Sequence, residues 1–203
     1  MNPQLKCLSS VAGAFLASVL LSGCALTQDS ISLAYVPQTN AVPVAGASAV
    51  SVKVDITDSR SIKDRLGAKK NGFGMDMAAI ISNDDVVETV KRAVHAELSD
   101  RGFKLADGDV LLLIDLNKFY NDFKVGFWAG DAVAEVTMQA EIKKSDGNIA
   151  YSKLITGEGK NTNIQLASGT NAKIALDAAL ADAIAKLFGD PQFIDTLLKA
   201  SKR

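Results

Sequence analysis

The residues best equipped for chemistry stand near the amino terminus. Leu21-Ser22-Gly23-Cys24 closes an apolar or small-residue run that begins at Leu8, behind the cationic Lys6. A positive start, a short apolar stretch and small residues before a cut make a secretory signal segment. The run is too short for a comfortable bilayer span of roughly 20 residues. Its end resembles a lipobox: small side chains at 22 and 23 fit a peptidase cleft, and the Cys24 thiol is a nucleophile that can take a diacylglyceryl group. Removal of residues 1–23 and lipidation of Cys24 are therefore expected. An uncleaved anchor helix, or an ordinary signal peptide containing a cysteine, would account for the same letters without the lipid. Cys7 falls in the removed segment, so the mature chain keeps no cysteine pair. With no disulfide framework, stability must come from a packed core.

No other set of residues assembles a reaction. His95 is the sole histidine, and it lies about 80° from the middle of a valine stripe on its helix, given 100° per residue. That is the place of a boundary side chain with one wet nitrogen rather than of a base or ligand. Zinc needs three or four N, S or O ligands; no such cluster is visible, and no metal or cofactor is expected. Asp55, Asp58 and Arg60 would suit a carboxylate pair for acid–base work, but a surface turn closed by an Asp–Arg pair explains them with fewer coincidences. Gly67 and Gly72 have phosphate-loop spacing, yet Phe73-Gly74 stand where lysine and a hydroxyl residue must be. No Gly-x-Ser-x-Gly elbow occurs. Asp177 falls within the apolar arc of an alanine-rich helix. It either makes a polar contact in a groove or reaches water or a backbone N–H, and the second is favoured because buried carboxylates are rare unless paired. Phe119, Tyr120, Phe123, Phe127 and Trp128 crowd around one strand connection. Such clusters are mostly cross-strand packing. A projecting connection would turn them into an apolar patch for a partner or a bilayer surface, and they form the candidate interaction patch. No catalytic residue is assigned.

These side chains need elements to hold them. Loss of residues 1–23 removes one of 22 basic residues against 23 acidic ones, leaving a slightly acidic chain. That balance offers no basic stripe for nucleic acid. Residues 24–46 read as the lipidated cysteine and a flexible tether broken by Pro37 and Pro43, with an extended reach of up to roughly 60 Å. The alternation Ile31-Leu33-Tyr35 leaves open a short strand docked on the domain instead. Residues 47–203 make one domain. Strict alternation predicts a strand over Ala49–Thr57, followed by a glycine- and lysine-rich loop to Ser82 with room for a short strand around 73–80. A helix capped by Ser82 or Asn83 follows, burying Val87, Val90, Val94 and Leu98, stopping at Gly102 and folding Phe103 back. Strands are predicted over Val110–Phe119, Asp131–Lys143 and from Ile149 to about Gly157, the last two joined by a turn at 145–148. An alanine-rich helix from Asn171 or Ala172 to Phe188 buries Ile174, Leu180, Ala181, Ile184, Leu187 and Phe188. A shorter helix starts at Asp190-Pro191 and turns Phe193, Ile194, Leu197 and Leu198 inward. The order strand-helix-strand-strand-strand-helix-helix predicts an α+β two-layer sandwich with a mixed four-stranded sheet and helices on one face. The first two strands run parallel through a right-handed crossover and the last three form an antiparallel meander. Ala132, Ala134 and Ala140 would let the alanine-rich helix sit close.

Several of these stretches carry a family likeness. Behind the lipobox cysteine come a Val-x-Val-x-Ile strand ending Asp58-Ser59-Arg60 and a helix ending Leu98-Ser99-Asp100-Arg101-Gly102-Phe103. With the aromatic-bearing strand pair and the tail Asp190-Pro191-Gln192-Phe193-Ile194, they resemble the YajG-like lipoprotein family. The resemblance implies a small outer-membrane or periplasm-facing lipoprotein and hands over no catalytic residue. Ala25 agrees, because an aspartate there resembles the inner-membrane retention signal of enteric-type bacteria. The expected role is a non-enzymatic interaction or accessory module of the cell envelope, held at the outer membrane by its lipid and facing a protein or envelope polymer. The alternative is a small-molecule or lipid-binding component of an envelope transport system, which needs a sizeable apolar pocket between helices and sheet. A hydrolase would need Asp55, Asp58 and Asp177 to converge.

Overall fold

Among the described residues, eight strands join in one mixed sheet, twice the number read from the sequence. The structure, a computed structural model, describes residues 26–37, 41–108, 110–126 and 128–200. Leu21, Ser22, Gly23, Cys24 and Phe127 lie outside them. The strands are β1 (Asp29–Ile31), β2 (Ser51–Asp58), β3 (Gly67–Lys70), β4 (Asp76–Ser82), β5 (Lys104–Leu105), β6 (Val110–Lys124), β7 (Gly130–Lys144) and β8 (Ile149–Ile164). The helices are α1 (Val86–Asp100), α2 (Gly169–Phe188) and α3 (Pro191–Ala200).

The long strands behave as their alternation requires. β6, β7 and β8 form the antiparallel meander, and β2 runs parallel to β6 from Val52↔Val110 to Asp58↔Leu116. A bulge between Leu116 and Lys118 then shifts the inward set of β6 from Leu112, Ile114 and Leu116 to Phe119, Asn121 and Phe123. Beyond that bulge β3 takes over the same edge of β6, parallel, with Gly67 opposite Asn121. β5 flanks β2, while β4 and β1 extend the sheet past β3. The four-stranded expectation thus left β1, β3, β4 and β5 out of the sheet, none longer than seven residues; of these, β3 and β5 were not foreseen at all. β4 realises the short strand sketched around 73–80. β8 continues to Ile164, past its expected end, because its polar second half pairs along β7 without needing an apolar pattern.

One face of this sheet carries the core. Ala132, Ala134, Val136, Met138, Ala140 and Ile142 of β7 are fully buried, and the residues between them are partly exposed on the other face. α2 lies over β7 and β8 so closely that backbone meets backbone. A Cβ on Gly159 would stand 2.0 Å from the Ala175 carbonyl oxygen, and one on Gly157 would stand 2.3 Å from that of Ala179. Small residues do set the spacing, but the nearest approach is on the β8 glycines rather than the β7 alanines. Ile174 is exposed, contrary to expectation, because the buried arc of α2 runs through Ala172, Ala175, Leu176, Ala179, Leu180 and Ala183 on the opposite side.

Helix ends follow local capping chemistry, with one correction. The cap of α1 is Asp85, whose carboxylate accepts from the Val87 and Glu88 N–H groups at 2.8 and 3.2 Å. Ser82 is instead the last residue of β4. Val86 takes the fully buried place expected for Val87, which is half-buried. At the other end Gly102 adopts φ 88°, which an L side chain resists, and the Phe103 N–H reaches the Leu98 carbonyl at 3.0 Å. Asp190 caps α3 through the Gln192 N–H, and Phe193 packs edge-on against Tyr151 and Phe188.

Part of the stretch read as a tether belongs to the fold. β1 pairs in parallel with β4, Asp29 opposite Ile80, and Ile31 and Leu33 are buried in the core. The docked strand left open by the sequence is formed. Cys24 stands five residues before β1 in sequence, a distance of about 17 Å at most, and the Thr27 carbonyl within that stretch accepts from Lys69 Nζ at 2.8 Å.

Candidate functional site

The β6–β7 hairpin carries the aromatic cluster, and the pleat divides it. Phe119 and Phe123 point inward and are buried, while Tyr120 between them is half-buried on the opposite face. Trp128, in the turn, is 85% exposed. Successive side chains of a strand face opposite ways, so the cluster is not one patch, and its described members do not act together. Other apolar residues join Trp128 instead. Because β3 runs parallel beside β6, the β3–β4 turn emerges next to the β6–β7 turn, and it presents Phe73, 89% exposed, and Met75.

Asp58 and Arg60 form the pair that the sequence suggested. Arg60 Nε and Nη2 each donate to a different Asp58 oxygen at 2.9 Å, and the Arg60 backbone N–H adds a third bond at 3.1 Å. The guanidinium hydrogen bonds hold the Asp58 carboxyl below the usual carboxylate range, against the opposing push of burial. They border an open cleft of about 380 Å³, lined also by Lys63, Arg65, Asp84 and Asp85. A carboxylate clamped this way is a poor proton carrier near neutral pH, where acid–base catalysis needs a pKa close to the working pH. Asp55 is exposed on β2, opposite Leu113 in register. Asp177 accepts from the Ala34 backbone N–H at 2.9 Å and pairs with Lys173, one of the alternatives weighed above. Asp55, Asp58 and Asp177 thus do not meet, and they build no hydrolytic centre between them. His95 is half-buried on α1, where burial and the nearby Lys91 charge lower its pKa, Glu88 opposing.

Two polar clasps escaped the sequence reading, and both tie the amino-terminal segment to the domain. In the first, Asp29 accepts from Lys69 Nζ at 2.9 Å and from the Gly169 N–H, the first residue of α2, at 2.7 Å. Burial pushes this carboxyl up, but the Gly169 and Lys69 contacts outweigh it and leave it below its ordinary value. In the second, fully buried Glu97 accepts from Tyr35 Oη at 2.5 Å and pairs with nearly buried Arg101. The Arg101 guanidinium also lies 4.8 Å from the Phe188 ring centroid, a cation–π contact. Burial, then the hydrogen bond to Glu97 and its charge, drives the Tyr35 hydroxyl pKa far up. One signal was available: Glu97 stands seven residues after Val90, within the buried stripe, and four before Arg101.

A one-sided α+β sandwich, with its entry strand clasped to the sheet edge behind a lipobox-like leader, has the organisation of a small surface-tethered domain. The chain belongs to a family described as uncharacterised lipoproteins, whose model matches residues 37–197. Among solved structures it is similar to a DUF330-family protein from Xanthomonas campestris, with TM-score 0.56, 16% identity, and 86% of this chain and 96% of that one covered. That likeness is one of fold. A minor lipoprotein from Acinetobacter baumannii gives TM-score 0.45 at 6% identity over 71% of this chain and 94% of that one. A neuraminyllactose-binding hemagglutinin homologue from Helicobacter pylori gives 0.43 at 8% over 84% and 100%. No curated protein matches.

Proposed function

We propose that the protein is a non-enzymatic accessory module of the bacterial envelope, cut before Cys24, lipidated there and held on the periplasmic side of the outer membrane. Within its lipoprotein family we place it in the YajG-like branch, on the motifs quoted above. The observation that carries the reading is the short, clasped link: β1 begins five residues after Cys24 and is fastened through Asp29 to both Lys69 and α2. Two or more acyl chains anchor stably, since burial gains about 0.8 kcal/mol per methylene. A link this short then holds the domain at the bilayer instead of letting it range across the periplasm. Ala25 supports the outer membrane as the address.

The side chains favour recognition over turnover. Asp58 is clamped by Arg60, Asp177 by a backbone N–H and Lys173, and the cleft beside Arg60 combines side chains of both charges with Leu66, Ile81, Val86 and Val87, suited to an envelope polymer or a protein segment. The apolar pocket needed by the lipid-carrier alternative has no room where α2 rests on Gly157 and Gly159. Cys24→Ser should release the protein from membranes, and the mass of the native amino terminus should show an acylated cysteine. An unmodified thiol, or a cut elsewhere, would overturn the anchor. Turnover by the purified protein, lost on changing one carboxylate, would overturn the non-enzymatic role.

A further inference from the structure

We propose that the end of the sheet at which the chain enters is a bilayer-docking pole, where exposed apolar side chains from three separate turns rest in the membrane interface beside the lipid anchor. Strand register carries the case. Asp29, Ile80, Gly67, Asn121, Ala134 and Gly159 stand at one level across β1, β4, β3, β6, β7 and β8. From that level one direction along the strands leads to the β3–β4 turn, the β6–β7 turn and the end of β8. The same direction, followed backwards from β1, leads to Leu26, which stands two residues after Cys24 in sequence. The turns lie five or six residues beyond the shared level, about 17–20 Å at a strand rise of 3.3 Å. The chain from Asp29 back to Cys24 spans the same number of residues and reaches as far. Five residues are enough chain to let an anchor at Cys24 share the plane of the turns, which form a row about 24 Å wide for six strands.

What these turns expose is apolar. Phe73, Met75, Trp128, Leu166 and Leu26 are each more than half exposed at this pole, and Val125 is exposed beside them. Two nearly bare aromatic rings are costly in water, and contiguous exposed apolar surface marks an interaction site. Tryptophan with an apolar body and one N–H suits the headgroup boundary. The charges nearby balance: Lys70 and Lys124 share the Asp122 carboxylate, at 2.5 and 2.9 Å, Lys69 pairs with Asp29, and Asp76 and Asp131 stand opposite Lys70 and Lys124 in register. The pole therefore presents apolar insertion rather than a cationic surface seeking anionic lipid. Tethering raises the local concentration of the turns at the membrane, so that individually weak insertions suffice.

The inference rests on the lipid-anchored reading, and its test supplies the anchor chemically so that the two can fail separately. Cys24 is the sole thiol of residues 24–203, and Trp128 is the sole tryptophan of the chain. The mature chain is coupled through Cys24 to a maleimide phospholipid in phosphatidylcholine vesicles, and Trp128 fluorescence is followed. The expected result is a blue-shifted emission, quenched by brominated phosphatidylcholine and shielded from aqueous iodide, with Phe73→Asp plus Leu166→Asp reversing both. For the uncoupled Cys24→Ser chain, each large ring removed (Phe73→Ala or Trp128→Ala) should lower vesicle partition in flotation by about tenfold. These residues are exposed, so circular dichroism should be unchanged. Emission as in water, with no quenching by brominated lipid, overturns the proposal. So does shielding of Trp128 that grows with protein concentration in the absence of vesicles, which would make the pole an interface between copies of the chain.

Discussion

Replacing Gly159 with alanine probes the contact that closes the sandwich. The added carbon would stand 2.0 Å from the Ala175 oxygen and 2.4 Å from the Ala179 nitrogen, both backbone atoms, where ordinary contact begins at 3.4 Å. No side chain can rotate away, so α2 must recede by more than an ångström or β8 must bow. Overpacking of this kind costs about 1–3 kcal/mol, and backbone obstruction puts the change at the upper end, about 3 kcal/mol. For a domain of this size each kcal/mol shifts the midpoint by roughly 2–4 °C, so Tm should fall by roughly 6–12 °C. Urea melts followed by circular dichroism should show the same loss with an unchanged m value. Gly72→Ala is the control, because nothing stands within 4 Å of its added carbon; it should stay within about 0.5 kcal/mol of the parent. In a loosely seated helix, Gly159→Ala would instead stabilise by about 0.4–1 kcal/mol through the unfolded chain. A Gly159→Ala protein as stable as Gly72→Ala would refute the close packing.

Other consequences can be measured with the same melts. Glu97→Ala leaves Arg101 buried without its carboxylate and should cost about 3–5 kcal/mol, whereas Glu97→Met with Arg101→Leu should recover most of it; equal losses would count against the buried pair. Asp29→Asn should raise amide exchange over residues 29–36 while leaving β6 and β7 protected. Because the folded-state value of Asp29 is lowered from 3.8, its contribution is fully present above 3.8 and lost as pH falls from 3.8 through the folded value. Acid should therefore free the amino-terminal segment of the parent, and protection that persists at low pH would contradict the clasp. His95 is lowered from 6.5, so the parent should lose stability as pH drops from 6.5 through the folded value. His95→Gln should match the parent at pH 8 and abolish that slope, and a parent whose stability is flat between pH 8 and 5 would rule this out.

Legibility in the sequence tracked how local each determinant is. β7 was readable because thirteen residues alternate with the single exception of Val133, and α1 ended where Gly102 and Phe103 said it would. β3 was not, since Gly67-Ala68-Lys69-Lys70 shows no pattern: what buries Lys69 is Asp29, forty residues away in sequence. The α1 cap was misplaced because four capping residues follow one another from Ser82 to Asp85, and only the pairing of β4 decides among them. The Asp58–Arg60 pair, two residues apart, was foreseen. The exposed pole was half seen through Trp128, while Phe73 and Leu166 come beside it only through the pairing of β3 with β6 and of β8 with β7.

The parallel seating of β1 has a mechanical consequence. On the proposed lipidation of Cys24, a tug from the membrane would act along the axis of that strand, loading its hydrogen bonds, the Asp29 clasp and the buried Ile31 side chain together in shear. Bonds stretched abreast resist far better than bonds opened singly, as in a zip. The domain is thus built to bear load at the point where its lipid would pull.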